Sequence, residues 1–393
     1  MNGGEQIAQV LKHQGVEFIF TLCGGHISPI LVGAKNAGIR VIDVRQEPTA
    51  VFAADAVSRL TGIPGVAAVT AGPGVTNSIT AIKNAQMAQS PLILLGGAPA
   101  TVLKGRGALQ DIEQLKLMET LVKWSVSIQQ DCDIVAIMEE AFDVAKSGVP
   151  GPVFIECPID LLYDKELVQD WYIKKTGQAH GIVEKVTNWY LRRHVDKIFA
   201  CSAKSIEMAE MEEIEPFSVN PEDVSRTLGR IKQSTSPVMI IGSQATLRPR
   251  PLDRLAAQLK EWGVPVFLTG MARGLLGDKC SLQLRHSRSL ALKEADLVLI
   301  AGMPCDFRLN YGRSINNNAY YVAINRSKAD LKKNRKPDLA VLADPAAFLL
   351  ELTSPGALDD RQFAPWLNRL TLQDAEREKK IQDFMAVETA HIN

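Results

Sequence analysis

The chain has 393 residues, of which 46% are hydrophobic and 22% are charged, a balance typical of a globular protein with about two domains. Lysine plus arginine and aspartate plus glutamate each number 44, so no net charge steers the chain toward nucleic acid or an anionic membrane. The six cysteines are scattered without a Cys-x-x-Cys pair, which favours reduced thiols over a disulfide framework or a zinc site. No apolar run approaches the roughly 20 residues that span a bilayer, so we expect a soluble chain.

Helical and strand-like segments alternate through the first block, which runs from about residue 4 to residue 162. The predicted helices are residues 4–14, 28–37, 51–60, 78–89 and 133–145, and the predicted strands are residues 16–20, 39–44, 66–70, 91–95 and 152–157. Strands that alternate with helices indicate a parallel, doubly wound sheet. Apolar strands such as LILLG indicate that both faces of this sheet are buried.

The alternation stops over residues 166–219, which combine isolated aromatic residues, a basic pair and an acidic run. We predict a linker here, with a partner-docking helix as the alternative. A second alternating block follows over residues 220–355, and a charged helical tail over residues 356–393. Its predicted helices are residues 221–232, 251–262, 287–295 and 346–352, and its predicted strands are residues 237–241, 265–268, 297–301 and 320–324. The predicted fold class is α/β, with two doubly wound parallel-sheet domains and a C-terminal helical tail.

Glu47 lies between a predicted strand, residues 39–44, and a predicted helix, residues 51–60. Pro48 follows it directly, and proline favours the first turn of a helix. The carboxyl group is therefore expected at the lip of the sheet, where open α/β sheets form their pockets. Apolar alanine and valine neighbours there would disfavour the charged form of the carboxyl group, which is the usual way in which a carboxyl group is made fit for proton transfer. The alternative is an ordinary charge at a helix N-terminus, stabilised by the helix dipole.

A glycine turn, TAGPGVTN, follows the predicted strand at residues 66–70. Gly72 and Gly74 allow backbone conformations that other residues avoid, so a ligand or a neighbouring chain can approach closely. Thr76 and Asn77 are expected to cap the next helix or to hydrogen-bond a ligand. The segment is a poor match to the dinucleotide pattern G-x-G-x-x-G and is not a P-loop. A tight turn with a helix cap is the alternative to a ligand site.

Three other polar residues are weaker candidates. His26 ends the segment LCGGH and could carry a proton near neutral pH, although a histidine at a strand end is commonly structural. Gln110 in RGALQDIEQ is a candidate polar anchor, with a surface amide as the alternative. Lys123 is interpreted as a charge between a helix and a loop. A nucleophile pair of Cys23 with His26 lacks a third, orienting group nearby.

Five segments of the first block occur in the same order as in the pyrimidine-binding domain of thiamine-diphosphate enzymes. They are FTLCGGHISPI, RQEPTAVFAADAVSRLTG, VTAGPGVTNSITAIKNAQMAQSPLILLGG, RGALQDIEQL and SGVPGPVFIECPIDLLY. The block therefore resembles that domain in the acetolactate synthase family, over residues 1–165. The HISP and NAQMAQSP segments favour the acetolactate synthase-like branch of 2-hydroxyacyl-CoA lyases. The resemblance implies a thiamine-diphosphate-dependent lyase or transferase that cleaves or forms C–C bonds next to a carbonyl group.

The resemblance also implies roles for the candidate residues. In this family the glutamate that matches Glu47 hydrogen-bonds N1′ of the aminopyrimidine, and the resulting imino tautomer removes the C2 proton to form the ylid. Gln110 would face the reacting centre, and His26 would be a partner for a substrate proton. The residues implied to border the pyrimidine are Gly25, Gly72, Gly74, Thr76 and Asn77.

The second block resembles the central domain of the same enzymes, in SPVMIIGSQA, GVPVFLTGMARGLLGD and ADLVLIAGMPCDFRLNYG. Relatives hold FAD, ADP or no ligand in this domain. Asn325 and Arg326 replace the aspartate and the apolar residue that usually follow the strand, so the chain departs from the standard nucleotide contact. The residues that could still bind a nucleotide or CoA are Gly242, Ser243, Arg273 and Arg308. The alternative is a purely structural domain.

A Gly-Asp-Gly…Asn segment binds Mg²⁺ and the diphosphate in the third domain of these enzymes, and this sequence contains no Gly-Asp-Gly. We therefore expect no metal ligands in this chain, contacts to the pyrimidine half of thiamine diphosphate only, weak cofactor binding and no turnover by the chain alone. The helical tail is predicted to lead to the missing diphosphate-binding domain.

Two hypotheses of different class follow from this resemblance. The chain is either part of an enzyme (a fragment, a truncated gene model or half of a split enzyme) or a non-catalytic protein that regulates full-length homologues. A plain nucleotide-binding α/β protein is a third reading. The implied partners are a second copy, in a homodimer or homotetramer, a full-length homologue, and a small acyl or 2-hydroxyacyl substrate. The expected location is the cytoplasm, or the endoplasmic reticulum membrane if an anchor precedes this sequence.

Overall fold

The computed structural model of the protein describes residues 1–174, 182–200, 208, 218–247, 251–358 and 362–387. Two compact units divide the chain, Met1–Ile214 and Glu215–Asn393. Each unit contains one parallel six-stranded sheet with helices on both faces, so the predicted fold class is confirmed.

The first sheet has the strand order β2-β1-β3-β4-β6-β5. Its strands are β1 Phe18–Leu22, β2 Arg40–Asp43, β3 Gly65–Val69, β4 Leu92–Ala98, β5 Trp124–Ser127 and β6 Pro152–Pro158. The helices of this unit are α1 Gly3–His13, α2 Ser28–Asn36, α3 Glu47–Thr61, α4 Pro73–Asn77, α5 Ile79–Ala88, α6 Gln114–Met118, α7 Asp133–Lys146, α8 Lys165–Lys174 and α9 Ile182–Ile198. The winding direction reverses between β1 and β3, so the loops after these two strands diverge and leave a crevice at the carboxyl edge.

The apolar strands fold in this way because both faces of the sheet are covered. Alternate residues of β3 point to opposite layers: Val66 packs with α1, α2 and α7, whereas Ala67 packs with α3 and α5. Every residue of β3, β4 and β6 is buried, as the apolar runs of β3 and β4 predict, and β6 also buries the charged residue Glu156. The crevice is therefore framed by rigid strands.

Lys123 precedes the edge strand β5 and holds the end of α7. Its ammonium group donates to the carbonyl oxygens of Val144 and Ser147, and to Ser147 Oγ at 3.2 Å. The last carbonyls of a helix lack intrahelical partners and carry the negative end of the helix dipole, so a lysine there is stabilising. The sequence-based interpretation as a charge between a helix and a loop misses this cap.

Replacing Lys123 by methionine is expected to lower the free energy of unfolding by about 1–2 kcal/mol, because three acceptors at the end of α7 lose their donor. Chemical denaturation of the variant measures this change. Lys116→Met is the matched control, because that side chain is 76% exposed and forms only a surface ion pair. It should change stability by less than about 0.5 kcal/mol. Equal stabilities for the two variants would contradict the capping role.

Helices α8 and α9 lie in the region predicted as a linker, and they belong to the core of the first unit. Val168, Val195 and Ile198 are buried in the same core as α1 and α7. The acidic run predicted near residues 207–215 lies almost entirely outside the described residues.

The second sheet has the strand order β12-β11-β10-β7-β8-β9. Its strands are β7 Pro237–Ile241, β8 Val266–Leu268, β9 Gln283–Leu284, β10 Leu297–Ala301, β11 Tyr320–Asn325 and β12 Leu339–Leu342. Its helices are α10 Pro221–Gln233, α11 Leu252–Glu261, α12 Arg288–Glu294, α13 Lys328–Leu331, α14 Pro345–Leu352 and α15 Ala364–Met385. The winding reverses between β7 and β10, as in dinucleotide-binding sheets. The predicted helical tail is α15, which packs Trp366 and Leu370 against this unit.

Candidate functional site

Glu47 is the first residue of α3 and only 7% exposed, at the carboxyl edge of the first sheet. Asn77, the last residue of α4, donates from Nδ2 to Glu47 Oε2 at 3.0 Å. The carboxyl group also lies in the first turn of α3, where the helix dipole stabilises it as the alternative interpretation expects. The pair joins the loop after β2 to the glycine turn after β3.

The glycine turn after β3 is tightly packed. Gly72 has a φ of +61°, and a Cβ atom there would lie 2.7 Å from the Gln110 carbonyl oxygen. Gly74 is also buried, and a Cβ atom there would lie 3.0 Å from Thr70 Cγ2. Thr76 is exposed and donates to the Pro73 carbonyl oxygen at 3.1 Å, inside the turn. These two glycines serve close chain packing.

Thr70, the residue after β3, connects two of the predicted site residues. Its Oγ1 lies 3.4 Å from His26 Nδ1 and donates to Gln110 Oε1, also at 3.4 Å. Gly24 packs directly on Thr70, since a Cβ atom on Gly24 would lie 2.6 Å from Thr70 Oγ1. Sequence reasoning did not single out Thr70, although its place between a buried strand and a glycine turn was a usable signal.

Gln110 belongs to the loop of residues 99–113 between β4 and α6, which we call the glutamine loop. Its φ is +63°, an uncommon value for a residue other than glycine. Gln114 follows the loop and is 1% exposed. It accepts from Gly72 N at 3.2 Å and donates to the Gly97 carbonyl oxygen at 2.8 Å. Gln114 thus fixes the glycine turn against the end of β4, and sequence reasoning missed it.

His26 lies beside Gly97, where an added Cβ atom would lie 2.6 Å from His26 Cβ. Burial lowers the pKa of His26 below its ordinary value. The neutral imidazole is therefore favoured at pH 7, with Nδ1 facing Thr70 Oγ1 and Nε2 left as the donor or acceptor for another group.

The His26 ring is expected to titrate below its ordinary pKa in an NMR pH titration. The unfolded chain takes up this proton first as the pH falls, so burial of His26 lowers the stability of the fold below about pH 6.5. His26→Asn should flatten the loss of stability between about pH 7 and pH 5. Titration at or above the ordinary value would contradict a buried, neutral ring.

Two hydrogen-bonded groups therefore line the crevice, Glu47 with Asn77, and His26 with Thr70 and Gln110. Gly25 is exposed, and a Cβ atom there would meet no atom within 4 Å. Among the described residues, no three His, Cys, Asp or Glu side chains are grouped as metal ligands.

In the second unit, the loops after β7 and β10 meet at the point where the winding reverses. A Cβ atom on Gly242 would lie 2.6 Å from the Gly302 carbonyl oxygen. Asn325 is buried and accepts from Gln244 Nε2 at 2.9 Å, so its carbonyl group faces the protein. Ser243 Oγ accepts from Met271 N at 3.2 Å.

Three arginines gather near this edge of the second sheet. Burial, and then the charges of Arg308 and Arg273, lower the pKa of Arg288. Arg288 donates to the Arg308 carbonyl oxygen at 2.6 Å, and the Arg308 guanidinium pairs with Asp306. Sequence reasoning named Arg273 and Arg308 and missed Arg288.

Two family models match this chain, the thiamine pyrophosphate enzyme N-terminal TPP binding domain over residues 1–117 and the thiamine pyrophosphate enzyme central domain over residues 224–352. The chain belongs to the thiamine pyrophosphate enzymes, in the group that includes 2-hydroxyacyl-CoA lyases and acetolactate synthases. The family resemblance predicted from the sequence is confirmed.

Individual relatives agree with this assignment. The chain is 49% identical over 356 residues to 2-hydroxyacyl-CoA lyase 2 of Danio rerio, which covers 90% of this chain and 57% of that protein. It is 44% identical over 398 residues to 2-hydroxyacyl-CoA lyase 2 of Homo sapiens, which covers 100% of this chain and 62% of that protein. A probable acetolactate synthase of Mycobacterium bovis is 29% identical over 390 residues, which covers 98% of this chain and 64% of that protein. The chain thus spans less than two thirds of the length of these relatives.

The first unit fits the aminopyrimidine half of thiamine diphosphate. A buried carboxyl group can hydrogen-bond a ring nitrogen, and the space beside Gly25 is open to a flat ring. No helix in the described part of the chain is long and apolar enough to cross a membrane.

Proposed function

We propose that this chain supplies the pyrimidine-binding half of the active site of a thiamine-diphosphate-dependent lyase that acts on 2-hydroxyacyl-CoA substrates. The observation that carries the proposal is Glu47, buried at the crevice and held by Asn77. The relatives named 2-hydroxyacyl-CoA lyase 2 support the substrate class. When bound, the cofactor supplies the carbanion chemistry that cleaves or forms the C–C bond next to the carbonyl group.

The residues of the crevice divide this task. Glu47 holds the ring nitrogen of the pyrimidine and exchanges a proton there, while Asn77 fixes the carboxyl group in one orientation. Gly25 leaves room for the ring. Gln110 and the neutral His26, both tied to Thr70, face the side of the crevice where a substrate hydroxyl or carbonyl group would lie. Gly72, Gly74 and Thr76 shape the turn, and we propose that they also border the pyrimidine ring.

The diphosphate half of the site would come from another chain. We propose assembly as a homodimer, a homotetramer or a complex with a full-length homologue, because the family builds its active site between two chains. Of these partners, the full-length homologue is the one that would bring the diphosphate half. We propose that this chain binds the cofactor through the pyrimidine half, and weak binding by the isolated chain stays a prediction. A full-length relative would supply Mg²⁺ and the diphosphate contacts.

A complementation experiment tests this proposal. A full-length 2-hydroxyacyl-CoA lyase whose glutamate matching Glu47 is changed to glutamine is expected to be inactive alone, which is measured first. Mixing it with this chain, thiamine diphosphate and Mg²⁺ should restore cleavage of a 2-hydroxyacyl-CoA. A mixture that contains the Glu47→Gln chain should stay inactive and serves as the control. If the wild-type chain restores no activity and instead lowers that of an intact homologue, the regulatory alternative is favoured.

A nucleotide site in the second unit is a second proposal. Three arginines near one sheet edge repel one another, and an anionic phosphate would relieve that repulsion. The reversal of winding between β7 and β10 supports the same place. ADP and FAD are the candidate ligands, with Gly242, Ser243, Arg273 and Arg308 as contacts. A thermal shift by ADP or FAD that Arg273→Ala removes would support it, and the absence of any shift would favour a structural domain.

A further inference from the structure

A buried polar cluster holds the start of the glutamine loop. We call it the Asp160 cluster, and its members are Thr101, Asp160, Tyr172 and His194. Asp160 follows β6 and is fully buried. Its Oδ2 accepts from Thr101 N at 2.9 Å, from Thr101 Oγ1 at 2.5 Å and from Tyr172 OH at 2.8 Å. The carboxyl group thereby ties the loop to α8.

No ion pair in the described part of the chain involves Asp160, so its Oδ2 is stabilised by these three neutral donors, while its Oδ1 is buried without a hydrogen-bond partner. Burial and the neighbouring Asp160 carboxylate raise the pKa of Tyr172, so its phenol stays protonated and donates. A buried carboxylate that loses a donor is costly, so the cluster is sensitive to each member.

His194, on α9, is the fourth member of the cluster and contacts the Thr101 hydroxyl group. Its Nε2 lies 2.7 Å from Thr101 Oγ1. A hydroxyl group has a single proton, and the 2.5 Å contact commits that of Thr101 to Asp160. His194 must therefore donate from Nε2. Burial lowers the pKa of His194, although the Asp160 carboxylate favours the charged ring, so we assign the neutral form with its proton on Nε2.

The glutamine loop is thus held at both ends. At its start, Thr101 binds the Asp160 cluster and Lys104 pairs with Glu156 of β6, which is 1% exposed. Near its end, Gln110 contacts Thr70 in the crevice. Between these points the backbone at residues 103–107 is exposed.

We propose that Tyr172 and His194 are positioning residues of the site. Through Thr101 and Asp160, helices α8 and α9 fix the position of the glutamine loop and therefore the position of Gln110. The segment after the first sheet is then part of the active-site scaffold. The effect of the Asp160 cluster on the glutamine loop depends only on the geometry above. The effect of the loop on the reaction rests on the proposed function. A hydrogen bond from residue 194, rather than the shape of the ring, is the feature that matters.

Limited trypsin digestion measures the loop directly. Arg106 is exposed within the glutamine loop and precedes a glycine, so the rate of cleavage there, followed by mass spectrometry, reports how often the loop leaves its place. His194→Leu removes the donor, and we expect about tenfold faster cleavage at Arg106. His194→Gln retains an N–H donor and should stay within about twofold of the wild type. Thr187→Ala is the control on α9, because its hydroxyl group bonds only within that helix.

Cleavage at Lys35 of α2 and Lys83 of α5, both exposed and neither on the substituted helix, separates loop release from general unfolding. Equal acceleration at these sites and at Arg106 would overturn the proposal, as would unchanged cleavage in His194→Leu or equal rates for His194→Leu and His194→Gln. If His194→Leu fails to fold, Thr101→Val gives a second test, with the same faster cleavage at Arg106 expected.

The complementation assay then extends the test to the reaction. The chain with His194→Leu should restore about tenfold less activity than the wild type, and the chain with His194→Gln should restore nearly all of it. Restored activity that is equal for all three chains would overturn the positioning role. If even the wild-type chain restores nothing, the proposed function fails, and the digestion result still decides whether α9 holds the loop.

Discussion

Glu47→Gln is expected to weaken the binding of thiamine diphosphate about 10- to 100-fold without changing the stability of the fold. A hydrogen bond that involves a charged group contributes about 1.5–3 kcal/mol, which corresponds to that loss of affinity. Glutamine has the same shape and still accepts from Asn77, whose Nδ2 lies 3.0 Å from Glu47 Oε2. Titration calorimetry with the cofactor and Mg²⁺ measures the affinity, and chemical denaturation measures the stability.

Two further variants sharpen this result. Glu17→Gln removes an exposed carboxyl group near β1 and should bind the cofactor as the wild type does. Asn77→Ala leaves Glu47 Oε2 without its donor, so it should lower both stability and affinity. If Glu47→Gln and Glu17→Gln bind the cofactor equally well, Glu47 does not contact it.

Gly65→Ala is expected to lower the free energy of unfolding of the first unit by about 2–3 kcal/mol. A Cβ atom at Gly65 would lie 2.5 Å from the carbonyl carbon of Ala54 and closer still to its oxygen. These are backbone atoms of α3, so no side chain can rotate away and the helix itself must shift. Because Glu47 begins α3, the same substitution should weaken cofactor binding.

Gly25→Ala is the matched control for Gly65→Ala, and the two variants should differ in stability. The added methyl group meets no atom within 4 Å, so stability should stay within about 0.5 kcal/mol of the wild type. The methyl group enters the space that we assign to the pyrimidine, so affinity for the cofactor should still fall. Wild-type affinity in Gly25→Ala would place the ring elsewhere, and wild-type stability in Gly65→Ala would contradict the close packing of α3 on β3.

The existence of the central strands could be predicted, because burial on both faces demands continuous apolar runs, but several bounds are shifted. The strand predicted at residues 16–20 is β1 Phe18–Leu22, and the strand predicted at residues 91–95 is β4 Leu92–Ala98. The structure has β7 at Pro237–Ile241 and β10 at Leu297–Ala301, with the predicted bounds. The edge strands β5, β9 and β12 were missed. All three are short. β5 and β9 are mostly partly exposed, and β12 alternates buried with exposed positions although all four of its residues are apolar, so their sequences carry no clear period.

The candidate site could be predicted where the signal is local. Glu47 stands between a strand and a helix, and the glycine turn with Asn77 follows a strand directly. Gln114 was missed because its contact with Gly72 joins residues 42 positions apart. Thr70 had a usable local signal between a strand and a glycine turn, but its contact with Gln110 spans 40 positions. The Asp160 cluster is a stronger example, since Thr101 and His194 are separated by 93 residues. No local pattern can report such pairs.

Ligand-observed saturation-transfer NMR tests the central claim most directly, because it resolves which part of thiamine diphosphate contacts the protein. We predict strong saturation of the pyrimidine protons by the wild-type chain, weak saturation of the thiazolium side chain, and loss of the pyrimidine signal in Glu47→Gln. Saturation mainly of the thiazolium side chain, or a pyrimidine signal that Glu47→Gln leaves unchanged, would contradict a pyrimidine-binding site at Glu47.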